Sequence, residues 1–215
     1  MRIGIIGGAG KIGRAVFSEA VRRGDVPTAI VRNQEKAEGV LGDYGKYLAK
    51  DALKLTASDL ASFDVVVDAM GTPPAEASLH VDLAKHLVGI VRGRPGPRLI
   101  FVLGAGSLTG PDGRLHLDSL YELPGSASWI GIPEQQLREL KFLQSVTDVD
   151  WTGVSPSAEL LVGPAQTPVL DEDSLLFGPS GASRVSTGTL AVAILDEIHD
   201  PKHAGRRFTV GDEQA

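Results

Sequence analysis

The sequence predicts an α/β fold, doubly wound around a mostly parallel sheet, with a small C-terminal elaboration. Three observations carry that expectation. Short apolar segments alternate with segments of helical periodicity, the rhythm of βαβ units. One segment, Phe63 to Met70, is a nearly continuous apolar run broken only by Asp64 and Asp68, as in a strand covered on both faces. The chain also begins with an apolar strand, a glycine-rich turn and a helix in immediate succession.

That opening is Arg2 to Ile6 as a buried strand, then Gly7-x-x-Gly10-x-x-Gly13, then a helix from Lys11 to about Arg23. Each glycine has its own task. Gly7 turns the chain out of the strand, Gly10 leaves room for a phosphate against the backbone, and Gly13 lets the helix pack on the strand it has left. The first N–H groups of the helix, flanked by Ala9, Lys11 and Ile12, lack partners and suit a pyrophosphate. A glycine pattern alone is weak evidence, and a strand–helix turn without ligand is the competing reading. The flanking strand and helix favour the dinucleotide-binding one. A secretory signal is rejected, because the apolar run meets Lys11 before reaching the length of a signal core.

The remaining elements follow in order. Pro27 to Val31 reads as a strand, Gln34 to Leu41 as a helix, Tyr47 to Lys50 as a strand, and Thr56 to Ala61 as one or two helical turns. After the Phe63–Met70 strand, Gly71 to Pro74 is a loop. Ala75 to about Arg92 is a helix, on the spacing of Leu79, Leu83, Leu87 and Ile90, and Arg98 to Leu103 is a fifth buried strand. Residues 104–132 lack clear periodicity and are rich in Gly, Pro, Ser and Asp. Following a strand's carboxyl end, they are expected to cover the substrate side. Pro133 opens a helix to about Ser145, and Asp150 to Ser155 is a sixth strand. Leu175–Phe177 and Arg184–Ser186 are expected as short strands, Thr189–His199 as the last helix and Arg207–Val210 as the last strand. With no repeat and no linker, residues 1–215 are expected to form one domain.

Composition narrows the function classes. The 215 residues hold 21 Lys and Arg against 27 Asp and Glu, a net charge of −6, with no basic block, so nucleic acid is not an expected partner. No apolar run approaches the ~20 residues of a membrane helix, so no membrane is expected either. The chain has no cysteine, which excludes disulfides, thiol catalysis and Cys-based zinc sites. No metal site is expected: His199 and His203 flank Pro201, which breaks a shared ligand face. A soluble, cytoplasmic protein is the default expectation.

Cofactor choice is written at the end of the second strand, where an NAD site places an acidic residue on the ribose 2′-hydroxyl. Here Val31-Arg32-Asn33 stands instead. Arg32 favours a 2′-phosphate through a charge-assisted contact, against the alternative of a solvated surface arginine. NADP(H) is therefore the preferred cofactor, with NAD(H) admissible. Asp51 and Ala52 at the third strand end bracket an adenine. Ala69-Met70-Gly71 and Gly104-Ala105-Gly106 are small-residue turns where backbone approaches a ribose or nicotinamide, or ordinary turns.

Together with Ile30-Val-Arg-Asn33, Lys50-Asp-Ala52, Asp150-Trp-Thr-Gly-Val-Ser-Pro156, Pro201-Lys-His203 and Arg207-Phe-Thr-Val210, the glycine motif resembles the atypical short-chain dehydrogenase/reductase group. Within it the chain is most similar to small NAD(P)H-binding proteins provisionally called NADH-flavin reductases, relatives of biliverdin reductase B and the NmrA-like proteins. The resemblance spans essentially the whole chain. It implies a Rossmann fold, a bound NADP(H) and reduction of a flavin or quinone-like acceptor. Ser155 and Pro156, at the end of the sixth strand, are expected among the cofactor-binding residues, with the acceptor in the neighbouring pocket under residues 104–132. The resemblance also points to Ser107 as a contact to a substrate carbonyl, with a turn-capping serine the alternative. His116 and Tyr121 are weaker substrate contacts.

One departure matters. Alcohol-oxidising members place a Tyr and, four residues later, a Lys on one helix face as a proton relay. Tyr44, Tyr47 and Tyr121 are followed four residues on by Leu48, Asp51 and Gly125. An NADPH-dependent reductase of a conjugated acceptor tolerates that loss. A non-catalytic, NmrA-like nucleotide sensor is the alternative.

Overall fold

The computed structural model describes residues 1–42 and 45–213, and the expected tyrosine Tyr44 lies outside them. The first half alternates strand and helix: β1 (Arg2–Ile6), α1 (Lys11–Arg22), β2 (Val26–Val31), α2 (Gln34–Leu41), β3 (Lys46–Ala49), α3 (Ala57–Leu60), β4 (Val65–Asp68), α4 (Leu79–Val91) and β5 (Arg98–Val102). The second half holds α5 (His116–Tyr121), α6 (Gly131–Gln144), β6 (Trp151–Pro156), β7 (Glu159–Leu161), β8 (Pro168–Asp171), β9 (Arg184–Ser186), α7 (Thr187–His199) and β10 (Arg206–Asp212).

Eight strands form one sheet in the order β3-β2-β1-β4-β5-β6-β10-β8, parallel except where β8 runs antiparallel to β10; β7 and β9 pair apart from it. From β1 the chain winds outward through β2 and β3, then returns to the other side of β1 with β4. Between β1 and β4 the winding reverses, and a crevice opens there beyond the strands' carboxyl ends.

Strand alternation divides the core. Ile3, Ile5, Val65, Val67, Ile100 and Val102 pack with α1 and α7. Ile6, Val66, Leu99, Phe101 and Trp151 pack with Leu83 and Leu87 of α4 and Leu140 and Leu143 of α6. All four residues of β4 and all five of β5 are buried. Gly13 of α1 sits so close to the Gly7 carbonyl that a Cβ there would overlap it. Gly7 itself adopts φ +70°, in the left-handed region.

The C-terminal third departs from expectation. Leu175–Phe177 is not a strand: Ser174 makes a single bridge to Thr109, and of the apolar residues after it Leu175 is buried and Phe177 exposed. β7 and β8 were not expected; β8 is an exposed edge of four residues, with no alternating burial for the sequence to reveal. Residues 104–132 are also more ordered than a loop. They contain α5 and short 3-10 turns at Ala105–Ser107 and Ser126–Ser128, and α6 starts at Gly131, two residues before Pro133. Among the described residues no helix is long and apolar enough to cross a membrane, and no cluster of His, Asp and Glu could hold a metal ion.

Candidate functional site

A cavity of about 820 Å³ runs along the carboxyl ends of β1 to β6. Its middle is the turn into α1, where Gly7, Ala9, Gly10, Lys11 and Ile12 line the wall. No side chain caps α1 and no acidic residue stands in its first turn, so no side chain competes for its first N–H groups. Gly10 has φ −75°, open to any residue; a Cβ there would meet little protein beyond the Gly7 carbonyl oxygen at 3.0 Å. The surface is a cradle that a side chain would fill. Gly13 is buried behind the turn and acts through packing rather than as wall.

One arm of the cavity follows β2 and β3. Arg32 and Asn33 line it, and so does Lys36, one helical turn further. Asn33 caps α2, its side-chain oxygen accepting from the Lys36 N–H at 2.9 Å. Arg32 is exposed, and among the described residues neither Arg32 nor Lys36 forms an ion pair. Sequence reasoning missed Lys36; its place three residues after the cap of α2 was the available signal. Asp51 and Ala52 line the same arm, where one Asp51 oxygen already accepts from the Leu53 N–H at 2.9 Å. Lys50 also lines it and is bound to Asp59 at 2.6 Å.

The other arm crosses β4, β5 and β6. Ala69, Met70 and Gly71 line it, with Thr72 and Pro73 beyond them, then Gly104, Ile132, Gln136 and Pro156. Gly104 and Ile132 are the two ends of the segment expected as a cover; His116 and Tyr121 within it do not line the cavity. His116 meets Ser119 Oγ at 3.0 Å, and Tyr121 donates to the Glu134 carboxylate. Tyr47 donates to the Gly42 carbonyl at 2.6 Å.

Ser107, Ser155 and Ala105 sit behind this arm rather than in its wall. Arg207, buried from β10, donates through Nη1 to Ser107 Oγ at 2.9 Å and to Ser155 Oγ at 3.2 Å, and it binds the Asp173 carboxylate. Ser155 Oγ donates to the Gly104 carbonyl at 3.1 Å. The two serines thus pin the β5 and β6 ends together, and both hydroxyls are committed inside the protein.

Three titratable side chains that the sequence did not single out gather on the opposite wall. His80 of α4 lines the cavity and is 4% exposed; Glu139 of α6 is buried beside it, and Asp68 at the end of β4 is buried near Glu139. Burial pushes the Asp68 carboxyl up to about 7, against the pull of a hydrogen bond from the Met70 N–H. Burial raises Glu139 well above the carboxylate range, helped by the charge of Asp68, and lowers His80. The signals were weak: a charge inside the apolar β4, and His80 at the spacing of Leu83 and Leu87.

The NAD(P)H-binding family matches residues 7–201 of this chain. The chain belongs to that family. Its fold is the Rossmann fold of NAD(P)H-dependent oxidoreductases, and the cavity at the switch point between β1 and β4 is where such a fold takes its dinucleotide. The uncharacterized protein YwnB of Bacillus subtilis is 36% identical over 216 residues, covering 99% of both chains. A solved structure from Lactobacillus casei is 38% identical with a TM-score of 0.91, each chain covered to 99%. Another, a Streptococcus pneumoniae protein provisionally named an NADH-flavin reductase, is 27% identical with a TM-score of 0.88, again over 99% of both.

Proposed function

We propose that this NAD(P)H-binding protein is a reductase that prefers NADPH and delivers hydride to a flavin or quinone-like acceptor. The observation that carries the reading is the geometry of the one continuous cavity. Uncapped helix N–H groups stand at its middle, Arg32 and Lys36, without an ion-pair partner among the described residues, at one end, and a mainly apolar slot at the other. The α1 N-terminus between Gly10 and Gly13 holds the pyrophosphate. Arg32 and Lys36 hold the 2′-phosphate, and Asp51 with Ala52 flank the adenine. Ala69 to Gly71 and Gly104 let a ribose and nicotinamide lie against backbone, as residues with little or no side chain do. When bound, NADPH supplies a hydride, which carries two electrons.

The chain contributes positioning. Met70, Ile132 and Pro156 give the β4–β6 arm an apolar surface that suits a flat conjugated ring and displaces water. The nearby relative named for flavin reduction is consistent with that choice. The nucleotide-sensor reading lacks a comparable observation. Incubation with NADPH and a panel of FMN, FAD and menadione tests the proposal by the loss of NADPH absorbance. Failure to reduce any of them while still binding NADPH would move the assignment to the sensor.

A further inference from the structure

The reductase reading leaves a group of polar atoms without work, and they lie beside the acceptor arm. His80 Nδ1 is 3.9 Å from Glu139 Oε2, too long for a direct hydrogen bond and spanned by a small rotation or one water. Glu139 Oε2, His80 Nε2 and Thr72 Oγ1 are all buried without a hydrogen-bond partner among the described residues. Native proteins rarely leave such atoms orphaned, and the exceptions cluster where a ligand or a reaction completes them. His80 and Thr72 line the cavity; Glu139 stands behind His80 with Asp68, which shares the α4–α6 face of the sheet with Val66 two residues earlier. Glu139 from α6 faces His80, and Asp68 from β4 lies close enough to Glu139 for its charge to act on it, while Glu76, before α4, is exposed at the cavity's edge. The cluster therefore places an imidazole between a closed carboxyl pair and the arm proposed for the acceptor.

We propose that His80 is the proton donor to the reduced acceptor and that Glu139 reloads it. The proposal rests on the reductase reading and names the source of the proton that the missing Tyr–Lys pair would otherwise supply. The acceptor, a quinone or oxidised flavin, gains a hydride from the reduced nicotinamide and is reduced by two electrons as the nicotinamide is oxidised. His80 then breaks its Nε2–H bond, and the acceptor oxygen or nitrogen takes that proton with its lone pair. Glu139 breaks its O–H bond in the same step and passes the proton to His80 Nδ1, so the imidazole ends neutral with its tautomer reversed. Glu139 is left as a carboxylate; when product leaves, His80 Nε2 takes a proton from water and Nδ1 returns its proton to Glu139, which restores both groups. A carboxyl that keeps its proton near neutral pH and an imidazole that stays neutral are the states this transfer needs, and burial favours both. Asp68 helps hold the proton on Glu139, as the second of two close carboxyls does.

Two measurements test it. Infrared spectra of the ligand-free wild type at neutral pH should show the C=O stretch of a protonated carboxyl that Glu139→Gln removes. Single-turnover oxidation of bound NADPH by menadione should slow by roughly 10²–10⁴-fold in His80→Gln. NADPH affinity should be unchanged, and added imidazole should restore His80→Ala. An ionised Glu139 in a wild type that reduces menadione would overturn the relay alone. A protonated Glu139 in a wild type that binds NADPH but reduces no acceptor would overturn the reductase reading and His80's role with it. Full turnover in a folded His80→Gln would also overturn the relay.

Discussion

Arg207 Nη1 donates to Ser107 Oγ at 2.9 Å inside the protein, so the serine at the end of β5 is held by a guanidinium from β10. Ser107 is 7% exposed and also reaches the Gly104 carbonyl at 3.4 Å. Its hydroxyl ties two strand ends together. Ser107→Ala should therefore lower stability by about 1.5–3 kcal/mol, the range for a hydrogen bond to a charged group. Urea unfolding measures this, and NADPH affinity should stay within about threefold. A large loss of turnover with unchanged stability would restore Ser107 as a substrate contact.

Gly13 and Gly7 belong to the fold before they belong to the site. A Cβ on Gly7 would stand 2.6 Å from the Ala69 carbonyl oxygen, in a left-handed conformation, and one on Gly13 would run into Gly7. Gly13→Ala should destabilise or prevent folding, as overpacking a close helix–strand contact does, by about 1–3 kcal/mol or more. Thermal unfolding by circular dichroism is the check; a melting point equal to the wild type would remove the close-packing argument.

Arg32 and Lys36 both line the cavity at the β2 end, and among the described residues neither has a carboxylate partner. Arg32→Glu should weaken NADPH binding by roughly 2 kcal/mol or more, from a lost charge-assisted contact and added repulsion. NADH, which lacks the 2′-phosphate, should be affected much less. Equal losses for the two nucleotides would show that Arg32 does not read the phosphate.

The first six strands of the sheet and their order of helices were legible because β1, β2, β4, β5 and β6 are largely buried, while β3, a short strand of exposed and half-buried residues, was read from its place in the βαβ rhythm. Gly7, Arg32, Asp51, Ala69, Gly104 and Pro156 could be placed for that reason, since parallel strands bring their carboxyl ends to one edge. Ser107 and Ser155 could not, because the partner that turns them inward, Arg207, is 100 and 52 residues away. The Asp68–His80–Glu139 cluster was illegible for the same reason. Its members come from three elements, and no spacing in the sequence joins them.

Asp68 makes stability depend on pH in a stated direction. Its carboxyl binds a proton more tightly folded than unfolded, at about 7 against an ordinary 3.8. That contribution is complete below about pH 4 and is lost as pH rises through about 7. Asp68→Asn removes it while keeping an oxygen for the Met70 N–H. The variant's stability relative to the wild type should rise between these limits by a few kcal/mol, on the order of 1.4 kcal/mol per pH unit at most. Urea unfolding at stepped pH reads the difference; a constant gap would mean that Asp68 is ionised throughout.

Gly10 tests the central claim most directly, because it separates binding from folding. Its backbone conformation suits any residue, and the space beside it is the cavity proposed for the pyrophosphate. Calorimetric titration of NADPH into the wild type and into folded Gly10→Val is the measurement. The account predicts binding by the wild type and none by the variant, with both melting cooperatively. Undiminished NADPH affinity in the folded variant would contradict it.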